Sequence, residues 1–113
     1  MAFIGIDLHT DRLTEARLEA ENGKLSVMKQ TYTLNGDPFQ RFLESLHTDD
    51  YVLIENTSNA FWFHDQIRDR VKACYVYDTN ELRTDGNKTD KIDAEKLAKK
   101  LAKKLGYYIT MGC

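Results

Sequence analysis

The sequence predicts an α/β domain built on a five-stranded mixed sheet, with an antiparallel three-strand meander, two further parallel strands and flanking helices. Two observations support this prediction. The first third of the chain has mixed apolar and charged residues interrupted by turn signals, which is typical of hairpins. The rest alternates helical segments with short apolar runs, which is typical of βαβ units. Its 113 residues suit one core, so we expect residues 1–113 to form a single domain.

The meander is predicted from three consecutive segments. Residues 3–8 form a short apolar run carrying one acid, Asp7, and predict a buried central strand. Residues 13–19 mix apolar and charged side chains and predict the second strand. The hairpin signal Glu21-Asn22-Gly23-Lys24 then leads into a third strand that continues to Leu34.

Two helices and two strands are expected next. Asp37, followed by proline, is predicted to cap the first helix. Residues 51–54 predict a buried strand that ends at Glu55, and the second helix is expected from about residue 60 to residue 71. We expect Trp62 of that helix to lie in the core rather than to stack on bases. The fifth strand is predicted by the apolar run at residues 73–77, which includes Cys74 as a core residue.

The last helix is opened by residues 88–94, which read KTDKIDA. On a wheel of about 100° per residue, its leucines and alanines form one stripe and its lysines occupy the far side. Asp90 falls within the stripe and Asp93 at its edge, so both carboxylates are expected to face the domain. Buried carboxylates are unfavourable without a cation or a donor. Simple capping of the helix N-terminus is the alternative.

Four acids are expected to converge at one edge of the sheet. Ligands of such sheets collect at the carboxyl ends of the parallel strands, where Asp7 and Glu55 lie, and the helix carrying Asp90 and Asp93 returns to the same edge. Clustered carboxylates repel one another unless divalent cations are present. Ligand sets made only of oxygen favour Mg²⁺ or Mn²⁺, and two such ions could support phosphodiester displacement.

Three pieces of the chain carry a resemblance: Phe3-Ile4-Gly5-Ile6-Asp7, Ile54-Glu55-Asn56-Thr57 and Lys88-Thr89-Asp90-Lys91-Ile92-Asp93-Ala94. They resemble the N-terminal RuvC-like (DEDD) domain of the insertion-sequence transposases related to the pilin-gene invertase, the bridge-RNA-type recombinases. The likeness runs from about Phe3 to Leu105, and the Lys-Thr-Asp-x-x-Asp-Ala piece is its most specific part. The resemblance implies a ribonuclease-H-like fold of the RuvC type.

The resemblance also implies a function. Asp7, Glu55, Asp90 and Asp93 would be the acidic tetrad that binds Mg²⁺ or Mn²⁺ and catalyses DNA strand cleavage and exchange in transposition. The implied partners are DNA, further copies of the same chain and, in some relatives, a structured guide RNA. The expected activity is therefore that of a magnesium-dependent DNA transposase or site-specific recombinase.

The chain departs from the family pattern in two places. Ser58-Asn59 stand where a glycine commonly follows the Glu-x-Thr piece, and the second domain that carries a nucleophilic serine is absent from these residues. We therefore expect an isolated domain or a truncated product, with a non-cleaving nucleic-acid-binding or scaffold module as the alternative. An actin-like phosphotransferase, which also opens with Gly-Ile-Asp and a hairpin, is disfavoured because 113 residues supply no second lobe.

Further polar residues are candidates for secondary roles. Lys88 and Lys91 are expected to contact phosphates or solvent, and Arg83 and Asn87 to meet nucleic acid from the preceding loop. His9 shares a strand face with Asp7 and is interpreted as a polar turn residue, with assistance at the metal site as the alternative. The paired lysines at positions 99–100 and 103–104 predict a solvated helix face, with a nucleic-acid contact second.

The charge distribution, the number of cysteines and the length of the apolar runs bear on the partners and the cellular location of the protein. Residues 1–65 hold 5 Lys and Arg against 11 Asp and Glu, whereas residues 66–113 hold 11 against 7, within a net charge of −2. This asymmetry suits a metal-dependent nucleic-acid enzyme as well as an ordinary soluble domain. Cys74 and Cys113 are too few for a disulfide framework or a zinc site. The apolar run at residues 2–6 is too short for a signal peptide or a membrane span, so we expect a cytoplasmic protein without a membrane partner.

Overall fold

A computed structural model of the protein describes residues 1–21, 24–55, 57–77 and 94–104. It confirms an α/β arrangement in which one five-stranded mixed sheet is flanked by helices. The strands are β1 (Ala2–Leu8), β2 (Arg12–Glu21), β3 (Lys24–Thr33), β4 (Tyr51–Glu55) and β5 (Ala73–Tyr77). The helices are α1 (Gly36–Glu44), α2 (Ala60–Ile67) and α3 (Ala94–Lys104). None of these described helices is both long and apolar enough to cross a membrane.

The strand order is β3-β2-β1-β4-β5, with β1 at the centre. The first three strands pair antiparallel, as the hairpin signals predicted, and Glu21 pairs with Lys24 across the two residues between the strands. β1, β4 and β5 run parallel, with Ile6 opposite Ile54. The carboxyl ends of these three strands therefore lie at one edge of the sheet, which we call the carboxyl edge.

The two faces of the sheet carry different cores. One face lies under α1 and α2 and is filled by large side chains, including Phe42 and Phe63, whose ring centroids are 5.8 Å apart. The opposite face lies under α3 and is filled by a mixture of alanines with leucines and one phenylalanine. Its buried members are Phe3, Ala16, Leu18, Leu53, Ala94, Leu97, Ala98, Leu101 and Ala102.

The predicted apolar stripe of the last helix is confirmed over its described length, because the five α3 residues in the second core are at most 1% exposed. The helix lies directly on Gly5 of β1. A Cβ atom at position 5 would stand 2.5 Å from the amide nitrogen of Ala98 and 2.8 Å from Cβ of Leu97. Glycine is required here because the helix backbone occupies the space that any side chain would need.

Two helix ends differ from the sequence prediction. The prediction of Asp37 as N-cap was wrong: α1 begins at Gly36, Asn35 is the N-cap, and no side-chain capping hydrogen bond forms. Gly36 has φ +63°, a conformation that glycine adopts readily. The chain therefore turns into the helix at Gly36, one residue before the predicted cap Asp37. α2 ends at Ile67 rather than near residue 71, and Val71 then turns into the core at 7% exposure.

A buried polar network was not foreseen. Glu15 and Arg17 of β2 are 0% and 7% exposed and form an ion pair with a 2.9 Å separation between Oε2 and Nε. Arg17 donates further hydrogen bonds to the carbonyl oxygen of Ser45, at 3.1 Å, and to its hydroxyl. The hydroxyl of Tyr32 donates to Glu15 at 3.3 Å. The network joins β2 to β3 and to the end of α1.

The pKa of Glu15 reflects two opposing effects. Burial raises the pKa of this carboxyl above its ordinary value, although the positive charge of Arg17 and its hydrogen bond act to lower it. The pKa of Tyr32 is also raised, first by burial and then by the neighbouring Glu15 carboxylate. Arg17 is therefore what makes an ionised Glu15 tolerable in this core.

We expect Gly5→Ala to destabilise the protein by about 3 kcal/mol, because the added methyl group would overlap the backbone of α3 and force the helix off the sheet. Urea unfolding followed by circular dichroism measures this. Gly36→Ala is the matched control: its Cβ would meet only Cδ of Pro38 at 3.9 Å, so the positive φ alone would cost about 1 kcal/mol. Equal losses for the two variants would contradict the close approach of α3.

We expect Arg17→Met to cost about 3–5 kcal/mol near neutral pH, because it leaves the Glu15 carboxylate buried without its cation. The variant's folded state then binds the Glu15 proton more tightly than the unfolded chain does. Its stability relative to wild type should therefore fall as the pH rises above 4.5, the ordinary pKa of a glutamate side chain.

Urea unfolding of this variant and of wild type at about pH 5 and about pH 7.5 tests the pH dependence. In the double variant Glu15→Gln/Arg17→Met the titrating group is gone, so the difference from wild type should lose most of its change with pH. A deficit of Arg17→Met that grows on acidification would show that Glu15 is not the group responsible.

Candidate functional site

Two of the four predicted site acids lie side by side at the carboxyl edge. Asp7 follows Ile6 in β1 and Glu55 follows Ile54 in β4, and Ile6 and Ile54 are register partners. Adjacent strands are about 4.8 Å apart, and side chains alternate between the faces of a sheet. Because Ile6 and Ile54 point toward α1 and α2, Asp7 and Glu55 both point toward the α3 face. The parallel register therefore brings these two acids to the same edge and the same face of the sheet, and their role as site residues stays a prediction.

The Asp7 carboxylate is largely enclosed and contacts a histidine. Its side chain is 13% exposed, and its Oδ1 lies 3.5 Å from Nε2 of His9, whose side chain is 29% exposed. The backbone amide of His9 donates to the carbonyl oxygen of Arg12 at 2.8 Å, which closes the turn between β1 and β2. His9 is thus a turn residue, as predicted, and it also contacts the candidate site.

Asn59 ties together the two segments that carry the acids. Its Nδ2 donates a hydrogen bond of 2.9 Å to the carbonyl oxygen of His9, and its Oδ1 accepts one of 3.0 Å from the hydroxyl of Thr57. The segment after Glu55 is thereby held against the segment after Asp7. Asn59 belongs to a polar cluster ahead of a helix, and the Thr-x-Asn spacing is the sequence signal for a turn that is fixed by its own side chains.

The first turn of α3 comes to the same region. Ala94 is the first residue of the helix, and its carbonyl oxygen lies over Gly5, two residues from Asp7 on the same strand face. The N-terminal end of α3 therefore lies over the strand that carries Asp7. Sequence continuity joins Ala94 directly to Asp93.

The other predicted site residues lie outside the described residues. These are Asp90 and Asp93 of the acidic set and the nucleic-acid candidates Arg83, Asn87, Lys88 and Lys91. Within residues 1–21, 24–55, 57–77 and 94–104, no three His, Cys, Asp or Glu side chains come together as metal ligands. The described part of the site consists of two neighbouring carboxylates and their supporting hydrogen bonds.

The prediction that Trp62 lies in the core was wrong. Trp62 is 44% exposed, and its ring stacks on Phe39 of α1 with a centroid separation of 5.7 Å. Only Ala60, Phe63 and Ile67 of α2 face the sheet, because residues three, four and seven positions apart share one side of a helix. Trp62 therefore lies at the exposed edge of the contact between α1 and α2.

Cys74 has no features of a reactive thiol. It is half-buried and packs against the core under α1 and α2. Burial raises the pKa of its thiol to about 12, so the sulfur stays protonated at neutral pH. This side chain packs, as the sequence predicted, and supplies no nucleophile to the site.

The chain matches no protein-family model, and no curated protein sequence matches it significantly.

We expect Asn59→Ala to cost about 1–2 kcal/mol, because it removes the hydrogen bond to His9 that joins the two acid-bearing segments and the hydrogen bond from Thr57 within its own segment. The loss should be accompanied by backbone chemical-shift changes at His9 and Thr57 in nuclear magnetic resonance spectra. Asn35→Ala is the control, since Asn35 makes no side-chain capping bond. Equal losses of stability in the two variants would contradict the bridging role of Asn59. Unchanged backbone chemical shifts at His9 in Asn59→Ala would contradict it as well.

Proposed function

We propose that the chain is a ribonuclease-H-like, RuvC-type catalytic domain that cleaves phosphodiester bonds of DNA with the help of Mg²⁺ or Mn²⁺, as part of a transposase or site-specific recombinase. The observation that carries the proposal is the placement of Asp7 and Glu55. They are neighbours at the carboxyl ends of parallel strands and point to one face of the sheet. This is where ligands of such sheets bind.

The fold supports the proposal. The antiparallel meander followed by two parallel strands, with helices on both faces, is compatible with the ribonuclease-H-like arrangement that the sequence resemblance implies. α3 begins over Gly5, beside the strand end that carries Asp7. A helix entering from that side would bring the acids that precede Ala94 toward the same edge.

The residues present suit a hard divalent cation. The carboxylates of Asp7 and Glu55 offer oxygen ligands, which Mg²⁺ and Mn²⁺ prefer, and Asp90 and Asp93 would complete the set. When bound, the metal would supply a charge that stabilises the developing negative charge on the phosphate and activates the attacking oxygen. His9 contacts the Asp7 carboxylate and so helps to hold its orientation.

The chain's own groups would act by positioning. In hydrolysis, the oxygen of a water molecule attacks phosphorus, the bond to one ester oxygen breaks, and the leaving oxygen takes up a proton. Asp7 and Glu55 would fix the ions that align these oxygens. Ser45 is unsuited to replace water as the nucleophile, because it lies at the C-terminal end of α1 and its hydroxyl is engaged with Arg17 and the carbonyl oxygen of Phe42.

The second candidate is a nucleic-acid-binding or scaffold module that does not cleave. It is favoured by the departure of the chain from the family pattern at Ser58-Asn59, shortly after the site acid Glu55. DNA strand exchange, a guide RNA and assembly of several copies are further parts of the proposal that rest on the sequence resemblance alone.

We expect Mn²⁺ or Mg²⁺ to bind the wild-type protein saturably in isothermal titration calorimetry, and Asp7→Asn to weaken this binding by more than about 10-fold. Asparagine keeps the size of the side chain and an oxygen able to accept from His9, while it removes the negative charge. Asp11→Asn is the matched control, because Asp11 is an exposed acid in the adjacent turn that pairs with Arg12. Wild type and Asp11→Asn should cleave branched DNA at similar rates, and Asp7→Asn should cleave it more slowly.

Two results would contradict the proposal. Equal metal affinity of wild type and Asp7→Asn would remove Asp7 from the site. Metal binding without cleavage of DNA, under conditions where the DNA is bound, would favour the scaffold module instead.

A further inference from the structure

One side of α3 is a dense array of positive charge. The helix holds five lysines and a single acid, Glu95. At about 100° per residue, the lysines fall within an arc of roughly 140°, centred opposite the buried leucines and alanines. We call this surface the lysine face; its members are Lys96, Lys99, Lys100, Lys103 and Lys104.

Side chains of β3 and β5 contact the two sides of the lysine face, and one of them adds a further positive charge. Glu95 lies 3.2 Å from Nζ of Lys99 and 3.9 Å from Nζ of Lys29 on β3, so a sixth cation stands beside the helix. Nζ of Lys100 lies 5.2 Å from the ring centroid of Tyr77 on β5. Lys96 and Lys103 are exposed between these flanks.

The lysine face and the acids are on the same side of the sheet. Asp7 and Glu55 point toward the α3 face, and the first turn of α3 lies on Gly5. Lys96 to Lys104 span about 12 Å of helix at 1.5 Å per residue. A ligand bound along the lysine face would therefore reach the carboxyl edge at its end nearer Ala94.

The buried side of α3 argues against a membrane as the partner. An amphipathic helix binds a lipid surface by inserting its apolar side. In α3 the apolar residues are at most 1% exposed because they pack on the sheet. The helix has only its charged side to offer, so its ligand is recognised by charge.

We propose that the lysine face binds the phosphate backbone of double-helical DNA and directs it to the carboxyl edge. The inference rests on the proposed function for the nature of the ligand, and on α3 for where the ligand binds. A duplex carries one phosphate per about 1.7 Å of its axis, so about 7 phosphates lie within the 12 Å of the lysine face. Lysines contact phosphates as point charges, and the binding is therefore independent of base sequence.

Fluorescence anisotropy with a duplex of about 20 base pairs, without divalent cations and at several salt concentrations, tests this inference. The variant is Lys96→Gln/Lys103→Gln. Each lost phosphate contact lowers the slope of log affinity against log salt by about 0.9, so we expect a reduction of about 1.8 and at least a 10-fold loss of affinity at low salt. Urea unfolding checks that both proteins are equally folded.

The control is Arg68→Gln/Lys72→Gln, which removes the same charge from exposed positions at the opposite edge of the sheet. It should leave the slope unchanged. An equal change in both double variants would overturn the inference, because total charge rather than the lysine face would then govern binding. Tighter binding of an RNA duplex with the same lysine dependence would overturn the assignment of DNA.

The same experiment separates this inference from the proposed function. If metal binding is normal and the lysine variant binds DNA like wild type, this inference alone fails. If DNA binding depends on the lysine face but the protein neither binds metal nor cleaves DNA, the proposed function alone fails.

Discussion

The close approach of α3 to Gly5 is the constraint on which the rest of the structure depends. It fixes where the helix begins relative to β1 and requires the small residues Ala94 and Ala98 on the buried side of the helix. It also sets which side chains of β1 lie under the helix and which lie beyond its end. Asp7 lies two residues beyond Gly5 on the same strand face, so the packing of a helix on one glycine helps to determine the surroundings of the candidate site.

Much of the fold follows from local sequence signals. The hairpin residues, the short apolar strands and the stripe of α3 are periodic features, and each is borne out in the described residues. The buried Glu15–Arg17 pair could not be read in this way, because charged residues in a strand normally face solvent. Its one signal is the spacing of two opposite charges on the same strand face. Trp62 was misassigned because an apolar run in a short helix does not show which residues face the sheet.

The site could be predicted only in part. Position in the chain and parallel pairing were enough to bring Asp7 and Glu55 together, since both depend on strand order. Asp90 and Asp93 lie outside the described residues, and their role stays a prediction. The bridge made by Asn59 depends on the mutual position of two loops that are 50 residues apart in sequence, and no local pattern encodes such a distance.

The arrangement of the two cores has a consequence for the order of folding. The core under α1 and α2 is built from residues that lie between Ala2 and Val76, whereas the core on the other face needs α3. During synthesis at about 5–20 residues per second, several seconds separate the appearance of Gly5 from that of Ala98. The face of β1 that α3 covers therefore stays exposed until α3 has been synthesised, whereas the core under α1 and α2 can form earlier. The candidate site belongs to the face that is completed last.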